Sequence, residues 1–197
     1  MITLAPAATE LRNVNETIQV DIFRYVFALI SPDRHIYLIQ HPFGETVAHQ
    51  FPSAGFDIKE AVNCMAIEAN TAAVFHLMRV GEFGLRALAY DRRISMPKGP
   101  IELATWDDII KELEKVEQAI QQYPKTLARE RQFEFYHGAM MEFKRFKNKF
   151  RNRVMHTREE YDRDQAHSGF VHVRDFMQIL ASKISEKKRT PLIWKRP

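Results

Sequence analysis

Apolar residues recur along this chain at helical spacing, in blocks separated by turn residues. Residues 8–30 carry Val14, Ile18, Ile22, Tyr25 and Leu29 at steps of three and four, and Ser31-Pro32 stops the pattern. A longer block predicts one helix from Asp57, as its cap, to about Arg92. Two apolar rows run along it. One is Ile67, Thr71, Val74, Met78, Gly81, Leu85 and Leu88; the other is Met65, Ala69, Ala72, His76, Val80 and Phe83. So wide a stripe predicts a central, largely buried element. Gly81 and Gly84 each cost about 1 kcal/mol against alanine inside a helix, so they predict close approach of a neighbouring helix.

Three further helices follow. Thr105-Trp-Asp-Asp108 has the form of a capping box with Asp in place of Glu. It opens a helix whose seam is Trp106, Ile109, Leu113, Val116 and Ile120 and which Pro124 closes. The next starts near Thr126 and turns Tyr136, Ala139, Met140, Phe143, Phe146 and Phe150 to the core. The last starts near Asp162–Asp164, with Ala166, Phe170, Val173, Met177, Leu180 and Ile184 in register, and Pro191 ends it. HIYLIQ at 35–40 reads as a short strand or an extended arm, and Glu45–Gln50 as a short helix in a connecting segment rich in turn residues. Short connections between amphipathic helices predict an all-α, up-and-down helical bundle with an N-terminal helical arm. The expected organisation is 1–56 as helix and connection, 57–186 as the bundle, and 187–197 as a basic tail.

Composition narrows the function classes. The 197 residues are 45% hydrophobic and 27% charged, which suits one globular domain with an extension. No apolar stretch is long enough to predict a membrane span. The first residues lack the layout of a secretory signal, and the single cysteine, Cys64, permits no intramolecular disulfide. A cytoplasmic location is the expectation. The net charge is only +4, but Lys144 to Arg158 holds seven Lys/Arg and no Asp/Glu. Like charges so crowded repel one another, and a polyanion would relieve them. A solvated helix face is the alternative.

Candidate chemistry is sparse. The eight histidines are scattered, no cysteine pair exists, and neither HEXXH nor a phosphate-cradling glycine loop occurs. No metal site or cofactor is expected. His76, in an apolar row, reads as a satisfied core histidine, and Cys64 has no basic neighbour to make it a nucleophile. The end of the third long helix remains, where Arg151, Asn152 and His156 follow the basic run. On a continuous helix five steps put Arg151 and His156 about 140° apart. They converge only if the helix breaks between them or a second chain brings another copy. Thr157-Arg-Glu-Glu160 has capping-box form and makes a break reasonable.

The pattern Arg151-Asn152-x-x-x-His156 resembles the Arg-x4–6-His signature of the HEPN superfamily, the higher eukaryote and prokaryote nucleotide-binding domains, in which a polar residue often follows the Arg. The resemblance covers roughly 57–186. The segment FPSAGFDIKEAVNCMAIEANTAAVFHLMRVGEFGLRALA also resembles a bacterial protein group of unknown function that carries such a domain. The resemblance implies a metal-independent endoribonuclease or RNA-binding effector, a homodimer with facing motifs, and a toxin or defence role with an antitoxin protein as partner. Arg151, Asn152 and His156 would then be catalytic. His moves a proton near neutral pH and Arg offers a permanent charged fork to phosphate. Lys144, Lys147, Lys149 and Arg153 would follow the RNA backbone. The superfamily also includes non-catalytic members, so a dimerisation or scaffold module is the alternative.

Overall fold

The computed structural model describes residues 4–25, 29–38, 40–96, 99–151 and 160–186. It is helical throughout, with no strand among the described residues. The chain divides into two units, Met1–Ile30 and Ser31–Pro197. The first holds one helix, α1 (Leu4–Ile22), which ends earlier than its apolar spacing predicts. Leu11, Val14, Ile18 and Ile22 along it are exposed.

The second unit is a bundle of α3 (Gly55–Ala66), α4 (Asn70–Asp91), α5 (Trp106–Gln121), α6 (Leu127–Phe146) and α7 (Arg163–Ala181). Helix α4 packs against α3, α5 and α7, and α6 packs against α5 and α7. The expected seams are buried: Val74, Leu85 and Leu88 on α4, Ile109, Leu113 and Ile120 on α5, Tyr136 to Phe146 on α6, and Ala166 to Leu180 on α7. Gly84 explains how closely two helices approach. A Cβ added there would lie 2.5 Å from Phe176 Cε1, 2.7 Å from Met177 Sδ and 2.9 Å from Leu180 Cδ1, all on α7.

Local signals placed several ends well. Thr105 Oγ1 accepts from the Asp108 amide and Thr126 Oγ1 from the Arg129 amide, each at 3.2 Å. Asp162 and Gln165 form a reciprocal capping box at the start of α7.

Three expectations change. The single helix from Asp57 to Arg92 is a hairpin of α3 and α4, because the chain reverses over 67–69 with Glu68 at φ 65°. Asp57 therefore lies inside the first turn of α3, and its side chain bonds to α4 instead of capping. HIYLIQ is neither strand nor arm: Pro32–Leu38 is a 3-10 helix against α3, with Tyr37 buried. The short helix α2 (Glu45–Gln50) falls where the spacing put it. Phe43, Val47 and Phe51 are buried, so 31–56 belongs to the same compact unit as the bundle and the boundary drawn at 56 falls inside it. The basic tail, 187–197, lies outside the described residues.

Candidate functional site

The α-helical pattern of α6 ends at Phe146 and continues as a π-helical turn over Lys147–Arg151. Such a turn widens the helix by one residue per turn and is frequent at functional sites. It delivers the backbone of Arg151 at the end of the element. Asn152, Arg153, His156 and the capping-box pattern at 157–160 lie outside the described residues, except for Glu160 itself.

Both flanks of that segment are anchored. Phe150 is fully buried, stacked obliquely on Phe146 and Tyr161 with ring centroids 5.2 and 5.6 Å apart. Gly169 on α7 leaves room for it; an added Cβ would stand 3.3 Å from Phe150 Cζ. Tyr161 donates its hydroxyl to the Phe150 carbonyl at 2.8 Å, a buried bond, and its amide donates to Thr71 Oγ1 on α4 at 2.9 Å. Phe150 and Tyr161 are thus tied to each other, and Tyr161 is tied to α4.

The described part of the basic run is partly neutralised from across the bundle. Lys144 Nζ pairs with Glu114 on α5 at 2.7 Å, and Lys147 Nζ pairs with Asp107 in the first turn of α5. Arg145 pairs with Glu142 on its own helix at 2.6 Å. Lys149 has a neutral partner, donating to Ser168 Oγ at 2.8 Å, and its ammonium lies 5.4 Å from the centre of the Phe150 ring. The run tolerates its charge in part because α5 supplies acids that linear spacing does not reveal.

Sequence reasoning missed a second polar cluster. Asp57 on α3 is buried, and its Oδ1 accepts from His76 Nδ1 at 2.9 Å and from Arg79 Nε at 2.8 Å, both on α4. Burial pushes the Asp57 carboxyl up, but the hydrogen bonds from Arg79 and then His76 outweigh it and hold it below the usual carboxylate range. The same bond raises Arg79. His76 is satisfied, as its row suggests, by the buried carboxylate of Asp57, but the His76 side chain is itself 27% exposed. Its signal was present only as Asp57, His76 and Arg79 separately, because the reversal at 67–69 that joins them carries neither Gly nor Pro.

Burial, and after it the charge of Glu60, raises the Cys64 thiol, which makes it a poor nucleophile. No group of metal-ligating side chains occurs among the described residues. No described helix is long and apolar enough to cross a membrane. Comparison with family models, with curated proteins and with solved structures finds no match.

Proposed function

We propose that this chain is a HEPN-like, metal-independent endoribonuclease acting as a homodimer, with the reacting groups in the segment between Phe150 and Tyr161. The observation that carries the reading is the anchoring of that segment. A π-helical turn brings the chain to Arg151, and a buried Tyr161-to-Phe150 bond ties down both ends. The ten residues between these two anchors include Arg, Asn and His, the residue types that suit chemistry needing a proton carrier beside a positive charge.

In this reading His156 removes the proton of a ribose 2′-hydroxyl. The 2′-oxygen attacks the adjacent phosphorus, the P–O5′ bond breaks, and the 5′-oxygen leaves as a hydroxyl with a proton taken from water, to which His156 returns the one it removed. Arg151 offsets the charge that builds on the non-bridging oxygens, and Asn152 orients one of the two groups. Lys149 and Arg153 follow the backbone. Lys144 and Lys147 contribute less than their charge suggests, since Glu114 and Asp107 already engage them.

Those two ion pairs favour a second reading, a non-catalytic dimerisation or scaffold module whose basic run is structural. Incubating wild type, Arg151→Ala and His156→Ala with a mixed RNA pool separates the two. Cleavage by wild type, lost by about 10²–10⁴-fold in either variant at unchanged melting temperature, supports the enzyme. Absence of wild-type cleavage across pH 5–9 supports the module.

A further inference from the structure

The α3–α4 hairpin presents a second constellation that the segment after α6 does not use. Asp57 is only 3% exposed in its side chain, whereas Arg79 is 57% exposed. A His76 ring that donates Nδ1–H to the carboxylate offers Nε2 as an acceptor in its neutral form. With Nε committed to Asp57, Arg79 keeps both terminal nitrogens for another acceptor. Glu82, whose charge also reaches Arg79, is engaged by Arg86.

Two phenylalanines flank this pair. Phe56 is 68% exposed and meets the His76 ring edge-on, centroids 6.4 Å apart. Phe75 is 51% exposed and stands four residues before Arg79, on the same face of α4. Four residues before Phe75 is Thr71, the acceptor of the Tyr161 amide. Thr71, Phe75 and Arg79 therefore form one row, about 12 Å long at helical rise, that begins beside Tyr161.

The two exposed rings stand beside His76 and Arg79, and the buried centre of a protein–protein interface is depleted of charge. A single-stranded nucleic acid fits better, because bases stack on isolated aromatic faces while cations take the phosphates. An acceptor nitrogen beside a phosphate-binding guanidinium adds a reason to prefer ribose, whose 2′-hydroxyl is a donor.

We propose that this row, with the His76–Phe56 pair beside it, is a single-stranded RNA subsite: Arg79 holds a phosphate, His76 Nε2 accepts the neighbouring 2′-hydroxyl, and Phe75 and Phe56 stack the flanking bases. Asp57 is a positioning residue, fixing the ring and the guanidinium from below. The inference rests on the reading of the chain as RNA-directed and extends it to a place on the surface.

The test is fluorescence anisotropy of a labelled uridine hexamer and of its 2′-deoxy counterpart, at one salt concentration, with the full chain. Phe75→Ala, His76→Gln and Arg79→Gln are compared with wild type; the glutamines keep a donor for the buried Asp57. Thermal melting establishes that each variant folds. Phe75→Ala and Arg79→Gln are expected to weaken RNA binding about five-fold or more, and His76→Gln to remove most of the preference for RNA over DNA. Variants that bind the hexamer like wild type overturn the subsite even if His156→Ala still abolishes cleavage. Loss of hexamer binding in the variants upholds the subsite even if wild type cleaves nothing. A wild-type chain that binds neither hexamer, or a Phe75→Ala change that alters sedimentation but not affinity, also overturns it.

Discussion

Replacing Gly84 with alanine should destabilise this protein although alanine is the better helix former. Alanine gains about 1 kcal/mol of helix propensity over glycine. Against this, the new Cβ would meet three side-chain atoms of α7 at 2.5, 2.7 and 2.9 Å, closer than real Cβ atoms come. Phe176, Met177 and Leu180 are buried in the middle of the bundle, so none of them can swing into solvent. Overpacking costs typically about 1–3 kcal/mol, and three simultaneous clashes from a neighbouring helix put Gly84 at the upper end. The net loss should be about 2 kcal/mol, a fall in melting temperature of about 4–8 °C for a chain of this size. Gly81→Ala is the internal control. Its Cβ would meet the nearest atom, Phe143 Cε2, at 3.3 Å and the next at 3.5 Å, so a small ring shift accommodates it. Propensity and packing then nearly cancel, and stability should stay within about 0.5 kcal/mol of wild type. Urea and thermal denaturation of both variants measure the difference. A Gly84→Ala protein as stable as wild type would refute the close approach of α4 and α7.

Other predictions address the site and the charges. Tyr161→Phe should cost about 1–2 kcal/mol by leaving the buried Phe150 carbonyl without its donor, and should lower RNA cleavage further than that loss of folded population explains; denaturation and initial rates together measure it. Asp57, held below its ordinary value, binds its proton less tightly when folded than when unfolded. Its contribution is present above the unfolded value of about 3.9 and is lost as pH falls through the folded value, so Asp57→Asn should flatten the acid limb of melting temperature against pH. Asp91 is the opposite case. Burial raises it in spite of the hydrogen bond from Tyr136 and the charge of Arg92, so its contribution is lost as pH rises from about 3.9 through the folded value, and Asp91→Asn should stabilise at neutral pH but not at pH 3. Lys149→Glu should weaken RNA binding and flatten its salt dependence at unchanged stability, whereas Lys147→Glu should also lower stability by about 1 kcal/mol through its Asp107 pair.

The core faces were legible because burial imposes a period on the sequence. Tyr136, Ala139, Met140, Phe143, Phe146 and Phe150 are the buried face of one helix and its π-helical end, as their spacing predicts. The hairpin between α3 and α4 was not legible. Its reversal uses Glu68 in the left-handed region, a residue without any special tolerance for it, while the apolar rows run on across the break. Everything that depends on that fold-back was hidden with it, including the meeting of Asp57 with His76 and Arg79 at separations of 19 and 22 residues. The pairing of Lys144 and Lys147 with Glu114 and Asp107 was hidden for a similar reason, since only the packing of α5 on α6 joins them. HIYLIQ has strand-like composition, yet Pro32 opens a 3-10 helix and Tyr37 is buried, so tertiary packing overrides local preference. The π-helical turn at Lys147–Arg151 has no compositional signature.

The central claim is that RNA supplies its own nucleophile and that the reacting protein groups lie in the sequence between Phe150 and Tyr161. The most direct measurement is the mass of the fragment ends after incubation of the wild-type chain with an RNA of known sequence in the presence of chelator. The account predicts a 2′,3′-cyclic phosphate on the upstream fragment and a 5′-hydroxyl on the downstream one. It also predicts that one 2′-deoxy residue at the cut site blocks that cut, and that His156→Ala yields neither product. Fragments ending in a 3′-hydroxyl, cutting that survives the 2′-deoxy substitution, or cutting by His156→Ala at the wild-type rate would contradict it.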